Sequence, residues 1–123
     1  MGADQFVDYS NEQFEDVVEP CDLVFDMLGG DTLKRSFDVV KPGSTIVSIK
    51  GEAPDGLAEE RDVTFHQFFM EPDGDQLTEI ATMITNGTIR PVLDSTFALD
   101  DVAAAYDYAR SGNANGKVAI TVR

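Results

Sequence analysis

The sequence feature that most constrains the fold is a mainly apolar run over residues 22–28 that ends at Gly29 and Gly30. A run of this length before a glycine pair predicts a strand followed by a tight turn. Apolar residues then recur at helical spacing over residues 33–40, and a second apolar run follows at residues 45–49. Strand, helix and strand in this order predict a βαβ unit, which requires parallel strands and a right-handed crossover.

The predicted helix between the two strands has one apolar face. Leu33, Phe37 and Val40 follow an i, i+4, i+7 pattern, and Lys41-Pro42-Gly43 is expected to end the helix before the second strand. Ligands of parallel sheets bind at the carboxyl ends of the strands. A functional site is therefore expected where the two strands end.

Further strands and helices are predicted on both sides of this unit. Ser10 with Gln13 and Asp73 with Gln76 have capping-box spacing, and Asn86-Gly87 is a helix stop. The predicted elements are, in order, a strand at 6–9, a helix at 10–18, a strand at 63–70, a helix at 73–86, an extended segment at 91–97, a helix at 100–111 and a strand at 118–122. Together they predict a single α/β domain over residues 1–123.

Length and charge limit the classes of function. With 123 residues, of which 42% are hydrophobic, the chain can build one modest core. Its net charge of −14 argues against binding to nucleic acid or to an anionic membrane surface, because like charges repel. The single cysteine excludes an internal disulfide. The sequence shows neither a signal peptide nor an apolar run of about 18 residues, which predicts a cytoplasmic protein.

Few side chains have the surroundings that catalysis or metal binding requires. His66 has no second histidine and no nearby cysteine, so no metal site is predicted, and Cys21 is expected to be a small buried hydrophobe. Ser48 lacks the Gly-x-Ser-x-Gly context of a hydrolase nucleophile. Gly29 and Gly30 either let a ligand approach the backbone or merely form the turn. The Gly-x-Gly-x-x-Gly fingerprint that would decide between these readings is absent.

Motifs along the whole chain resemble one known family. In order they are Val7-Asp8-Tyr9, Asp22-Leu23-Val24-Phe25-Asp26 with Gly29-Gly30, Lys41-Pro42-Gly43, Val47-Ser48-Ile49, Pro72-Asp73-Gly74, Ile89-Arg90-Pro91-Val92 and Gly116-Lys117-Val118. Their order and spacing are similar to the later half of the cofactor domain of medium-chain dehydrogenases/reductases, in the quinone oxidoreductase (zeta-crystallin-like) branch. The resemblance implies a partial Rossmann-like, doubly wound parallel sheet with flanking helices, lacking the first two strands and the glycine-rich loop. A C-terminal strand-helix-strand segment is expected to follow.

The resemblance also implies an activity. It implies a zinc-independent NADP(H) oxidoreductase, in which hydride passes directly from the nicotinamide to quinones or to activated carbonyl and enone substrates. Lys50 stands where the family often has glycine, and Asn113 and Asn115 stand where arginine is common. NAD(H) therefore stays open as the cofactor. The resemblance assigns no catalytic residue to this chain, and it implies no zinc.

Cofactor contacts are implied by the resemblance residue by residue. Tyr9 matches the tyrosine that closes over the adenosine 2′-phosphate. The loop after the first apolar run matches the one beside the ribose and pyrophosphate, and the ends of the next two strands match those near the nicotinamide. The implied cofactor-binding residues are Tyr9, Leu28, Gly29, Gly30, Ile49, Lys50, Gly51, Phe68, Phe69 and Met70.

A cofactor domain without its first two strands is expected to have an open sheet edge. The chain is therefore expected to be part of a longer enzyme and to be inactive alone. Residues 6–8 are expected to pair with the strand at 23–27, or a second copy of the chain is expected to cover that edge. A homodimer is also expected through the strand at 63–69. The alternative function is a non-enzymatic α/β module that associates through its sheet edges.

Overall fold

The computed structural model describes residues 2–122. These residues form two compact units, which divide between Glu71 and Pro72. None of the helices in the described range is long and apolar enough to cross a membrane. The first unit contains the helices α1 (Phe14–Val17), α2 (Gly30–Ser36) and α3 (Leu57–Glu60) and the strands β1 (Cys21–Asp26), β2 (Val40–Ser48) and β3 (Thr64–Gln67).

The three strands of the first unit form one sheet in the order β1-β2-β3, and both pairings are parallel. Helix α2 connects β1 to β2, so the predicted βαβ unit is confirmed. The strand predicted at 63–70 is shorter than expected, because β3 ends at Gln67. Residues 68–70 therefore leave the sheet at its carboxyl edge.

The core of the first unit lies on one face of this sheet. Leu33 and Phe37 are almost fully buried and pack with Ile46 of β2 and Val63. The ring of Phe37 also stacks on that of Phe65, with 6.3 Å between the centroids. The burial of these side chains supplies the main driving force for attaching α2 to the sheet.

The opposite face of β1 is uncovered. Side chains of a strand alternate between two faces, and Val24 packs against the core while Asp26 is buried. The alternate residues Leu23, Phe25 and Met27 are 55–61% exposed. One face of β1 therefore carries the buried Asp26 and the packed Val24, and the other face carries exposed apolar side chains.

The predicted end of the helix at 41–43 is wrong. Helix α2 ends at Ser36, Val40 begins β2, and Lys41-Pro42-Gly43 lie inside that strand. The ladder is irregular here, because Cys21 pairs with Val40 but Leu23 pairs with Thr45. Proline is tolerated in a strand at such an irregularity, and Gly43 adopts a φ of +78° there.

The strand predicted at residues 6–9 is absent, and its expected pairing with β1 is wrong. Phe6 is 84% exposed, and the chain turns at Tyr9. The Asp8 carboxylate accepts hydrogen bonds from the Ser10 backbone N–H and the Asn11 side chain. This local turn replaces a sheet ladder. The predicted Ser10 cap is wrong as well, because α1 begins after Gln13.

The second unit contains a helix and a strand-helix-strand segment. Its elements are α4 (Gly74–Thr85), β4 (Leu93–Ala98), a 3-10 turn (Leu99–Asp101), α5 (Val102–Arg110) and β5 (Lys117–Thr121). Strands β4 and β5 pair in parallel. The Asp73 cap is confirmed, since its carboxylate accepts from the N–H groups of Asp75 and Gln76. Asn86 ends α4 as predicted, whereas Asp100 lies in the 3-10 turn and does not cap α5.

A side-chain network joins α5 to β4 and to the loop before β5. The Tyr108 hydroxyl donates to Asp94 Oδ2 at 2.8 Å, and the Asn115 N–H donates to Asp94 Oδ1 at 3.0 Å. The hydrogen bond from Tyr108, followed by that from Asn115, lowers the pKa of Asp94, and the same carboxylate raises the pKa of Tyr108. The network is therefore strongest while Asp94 is ionised and Tyr108 is protonated.

Replacing the buried Phe37 should destabilise the first unit. Phe37→Ala is expected to lower the free energy of unfolding by about 3–5 kcal/mol, because it leaves a cavity under the sheet. Phe6→Ala is the control and should change it by less than about 0.5 kcal/mol. Urea denaturation followed by circular dichroism measures both, and equal effects would contradict the described core.

Replacing Tyr108 should make stability less dependent on acid pH. The pKa of Asp94 lies below its ordinary value of 3.8, so its contribution is complete above that pH and is lost as the pH falls through the folded-state value. The gap in urea stability between wild type and Tyr108→Phe should be constant near neutral pH and should shrink below pH 3.8. Tyr106→Phe, which removes an exposed hydroxyl, should show no such pH-dependent gap.

Candidate functional site

The three strands of the first unit end in register. Asp26, the last residue of β1, is aligned with Ser48 at the end of β2, and Ser48 is aligned with Gln67 at the end of β3. The segments 28–30, 49–51 and 68–70 therefore leave the same edge of the sheet side by side. The structure thus brings together nine of the ten residues implied as cofactor contacts, all except Tyr9.

Backbone hydrogen bonds continue across this edge beyond the strands. The Ile49 N–H donates to the Asp26 carbonyl at 3.1 Å, and the Phe68 N–H donates to the Ser48 carbonyl at 2.8 Å. The first residue after each of the last two strands is thus fixed to the neighbouring strand. The carboxyl edge is consequently an ordered surface at these positions.

Buried polar side chains lie directly beneath the edge. Asp26 is 4% exposed and Ser48 is fully buried. The Ser48 hydroxyl donates to Asp26 Oδ2 at 2.7 Å, and the Gly29 N–H donates to both carboxylate oxygens at 3.0 and 3.1 Å. The Leu28 N–H lies 3.3 Å from Oδ1. The Gly29 N–H is therefore already occupied within the protein.

The two glycines of the first loop have different surroundings. Gly29 has φ +71° and ψ −166°, a conformation that is essentially restricted to glycine. A Cβ built on Gly29 would lie 3.2 Å from the Lys50 carbonyl oxygen. Gly30 has φ +56°, and a Cβ there would meet no atom within 4 Å. Gly29 is required for the close approach of the two loops, while Gly30 leaves its backbone open to a ligand.

The side chains around the edge are accessible, and all of them except that of Lys50 are apolar. Leu28 is 72% exposed, Phe69 is 83% exposed, and Ile49, Phe68 and Met70 lie between 42% and 66%. Side chains of this type can pack against a flat ring. The open backbone at Gly30 and these apolar side chains fit the ribose and nicotinamide parts of a dinucleotide.

Tyr9 lies in a separate surface depression. It is 89% exposed and lines this depression together with Ser10–Gln13 and Asp16. Hydrogen bonds from Ser10 and Asn11 lower the pKa of the neighbouring Asp8 carboxyl. A carboxylate next to Tyr9 would repel a phosphate, so the proposed contact of Tyr9 with a 2′-phosphate stays a prediction.

The two residues most suited to zinc lie far apart on the sheet. Cys21 begins β1, and its thiol donates to the Glu19 carbonyl at 3.3 Å. His66 is aligned through Val47 with Phe25, toward the other end of β1. Within residues 2–122 no group of three or more His, Cys, Asp and Glu side chains could hold a metal ion. The donor set of the described residues does not fit zinc.

Sequence reasoning missed two residues of this edge. In the sequence, Asp26 stands out only as part of a strand motif. Ser48 stands out only as part of Val47-Ser48-Ile49 and as a serine without the context of a hydrolase nucleophile. The available signal was the alternation of side chains, which places Asp26 on the same face as Val24 and hence toward the core. A carboxylate at the buried end of a strand needs hydrogen-bond donors nearby.

Comparison with known proteins identifies the family. Residues 1–120 match the zinc-binding dehydrogenase family, so the chain belongs to it. The resemblance to medium-chain dehydrogenases/reductases of the quinone oxidoreductase branch is confirmed. The predicted α/β fold with parallel sheets and flanking helices is confirmed too.

Two plant enzymes are among the most similar relatives. The 2-methylene-furan-3-one reductase of Solanum lycopersicum is 32% identical over 98% of this chain and 29% of its own length. The chloroplastic NADPH-dependent alkenal/one oxidoreductase of Arabidopsis thaliana is 31% identical over 98% of this chain and 29% of its length. The chain spans well under half the length of these curated relatives.

Solved structures with the same fold show the same partial coverage. The quinone oxidoreductase of Coxiella burnetii superposes with a TM-score of 0.85 at 24% identity, over 99% of this chain and 40% of that protein. An alcohol dehydrogenase superfamily protein from Novosphingobium aromaticivorans gives a TM-score of 0.70 at 30% identity, over 85% and 37%. The first of these similarities supports the fold alone.

Adding a methyl group at Gly29 should disturb the edge more than adding one at Gly30. Gly29→Ala is expected to lower the free energy of unfolding by more than about 3 kcal/mol, because it combines backbone strain with a tight contact of the new Cβ to the Lys50 carbonyl oxygen at 3.2 Å. Gly30→Ala should cost about 1–2 kcal/mol, since only its φ is unfavourable. Urea denaturation of both variants measures the difference, and equal costs would contradict the close approach of the loops.

Proposed function

We propose that this chain is the later cofactor-domain portion of a zinc-independent, NADP(H)-dependent oxidoreductase that transfers hydride to quinones or to activated carbonyl and enone substrates. The observation that carries the proposal is the in-register end of β1, β2 and β3 at one edge. Ligands of parallel α/β sheets bind outside such an edge. The names of the two plant relatives support the substrate class.

The residues at the edge act by binding and orientation. Bound there, a nicotinamide supplies the hydride, so no protein nucleophile is needed. Leu28 and Gly30 would lie beside the ribose and pyrophosphate. Ile49–Gly51 and Phe68–Met70 would border the nicotinamide, where the apolar side chains of Ile49, Phe68 and Phe69 would exclude water. NADP(H) is the proposed cofactor, with NAD(H) as the second choice because Lys50, Asn113 and Asn115 depart from the family pattern.

Zinc independence is proposed from the resemblance to the quinone oxidoreductase branch. The chain's one cysteine and one histidine are on different strands, and Cys21 lies at the opposite end of the sheet from the proposed site. Within residues 2–122 these two side chains belong to no group of three that could hold a metal ion. A cytoplasmic location and a homodimer through β3 stay predictions.

We also propose that the chain alone is inactive and binds its cofactor weakly. The chain lacks a Gly-x-Gly-x-x-Gly sequence, which in dinucleotide-binding folds supplies the main pyrophosphate donors. The Gly29 N–H cannot replace them, because it donates to Asp26. Affinity no tighter than roughly millimolar is expected.

The second candidate is a non-enzymatic α/β module that associates through its sheet edges. β1 is an edge strand of its sheet, and the exposed Leu23 and Phe25 on one of its faces, followed by the exposed Met27, favour this candidate, since exposed apolar patches mark interaction surfaces. Such a module would self-associate without binding a dinucleotide at the carboxyl edge. Light scattering together with the titration below separates the two candidates.

A titration followed by NMR tests the proposed function. NADPH and NADH are added separately to the 15N-labelled chain up to about 10 mM, a range that detects roughly millimolar binding. Amide shifts are expected at residues 28–30, 49–51 and 68–70. Amides of β4 and β5 serve as the internal control and should stay in place.

A Tyr9→Ala variant tests the assignment of Tyr9 in the same experiment. It is expected to weaken binding of NADPH more than binding of NADH, because only NADPH carries the 2′-phosphate. Equal weakening would remove that role from Tyr9. Absence of shifts at all three strand ends would contradict the proposed cofactor site itself.

A further inference from the structure

We propose that Asp26 and Ser48 are positioning residues for the cofactor, because their side chains hold the loop at 28–30 and the loop at 49–51 in one fixed arrangement. The proposal rests on the proposed function, since those loops are the predicted cofactor contacts. Neither residue itself touches the site surface, because both are buried.

The link runs through four groups in sequence. The Lys50 N–H donates to Ser48 Oγ at 3.2 Å, and the Ser48 hydroxyl donates to Asp26 Oδ2 at 2.7 Å. The Asp26 carboxylate then accepts the Gly29 N–H at 3.0 Å. The backbone at Lys50 is thus connected to the backbone at Gly29 through two side chains. The same Ser48 holds the third strand end, since its carbonyl accepts the Phe68 N–H.

The link places a carboxylate in a core that is otherwise mainly apolar. Burying a carboxylate is costly, and this one receives its hydrogen bonds from two backbone N–H groups and one hydroxyl, all of them neutral. The core of the unit is otherwise made of Leu33, Phe37, Ile46 and similar side chains. An apolar pair at positions 26 and 48 would remove the cost of burial but would leave the Gly29 and Lys50 N–H groups without these partners.

Close contact between the two loops depends on the same link. The Gly29 backbone approaches Lys50 so closely that a Cβ would lie 3.2 Å from its carbonyl oxygen. Such proximity persists only if the surrounding structure fixes both segments. Asp26 and Ser48 supply that fixation from beneath, on the side away from the ligand. Groups held by such supporting hydrogen bonds bind with a defined geometry.

The alternative role of Asp26 is to stabilise only the turn that follows it. Asp26 alone would do that through the Leu28 and Gly29 N–H groups. Ser48 separates the two readings, because its hydroxyl contributes nothing to that turn except through Asp26. Removing the hydroxyl should affect the turn little and should free the loop at Lys50.

Ser48→Ala is the decisive variant, and Ser36→Ala is its matched control. Ser36 is likewise buried, at 4% exposure, but its hydroxyl donates to the Thr32 carbonyl inside α2. Hydrogen exchange by NMR should show Lys50 exchanging about tenfold faster in Ser48→Ala, the factor equivalent to one net hydrogen bond. Ser36→Ala should leave the Lys50 amide unchanged.

Cofactor binding is the second measurement on the same samples. In the NADPH titration, Ser48→Ala should raise the dissociation constant several-fold more than Ser36→Ala does, at a comparable midpoint of thermal unfolding. Asp26→Asn keeps an oxygen for Gly29 but presents an amide NH2 to the Ser48 hydroxyl. Asp26→Asn should also make the Lys50 amide exchange faster and raise the dissociation constant for NADPH. It replaces Ser48→Ala if that variant does not fold.

The possible results lead to distinct conclusions. Unchanged exchange at Lys50 in both Ser48→Ala and Asp26→Asn would overturn the link. Faster exchange with binding equal to that of Ser36→Ala would overturn the positioning role. If wild type shows no NADPH shifts at the strand ends, the proposed function fails, and the positioning role fails with it while the exchange data still decide whether the link exists.

Discussion

The parallel pairing of β1 with β2 is the constraint on which the first unit depends. It places Asp26 opposite Ser48, and it lets α2 cross over and bury Leu33 and Phe37 against Ile46. Everything at the carboxyl edge follows from this register. A shift by one residue would turn Val24 and Asp26 to the exposed face and would bring Leu23 and Phe25 to the core.

Both units show elements whose apolar surface is uncovered. In the first unit, Leu23 and Phe25 of β1 and the following Met27 are exposed. In the second, α4 has an Asp73 cap and an Asn86 stop, yet Leu77 and Ile80 are 66% and 45% exposed. Local signals form these elements, whereas burial of their apolar sides requires further protein surface. The uncovered apolar surface agrees with the finding that the chain matches 29% of the length of each of the two plant relatives.

Predictions from local sequence signals are correct where the tertiary structure favours the same element as those signals. Strand β1, the α4 cap at Asp73 and the parallel crossover from β1 to β2 were predicted correctly, because each depends on residues close in sequence or on a general rule of handedness. Predictions are wrong where contacts made in the fold outweigh the spacing of apolar residues in the sequence. Val40 fits a helical stripe, but its pairing with Cys21 places it in β2. Residues 6–9 alternate like a strand, but the Asp8 turn forms instead, and no strand lies beside them in the described range.

The sequence by itself determined the order of the strands from β1 onward, the family, and the positions of nine of the ten candidate contact residues near strand ends. Only the tertiary structure decided which side chains support that edge. Asp26 and Ser48 are 22 residues apart, and neither has a motif that points to the other. Their hydrogen bond exists because parallel pairing aligns the ends of β1 and β2, and burial on the α2 side leaves the carboxylate no partner in water.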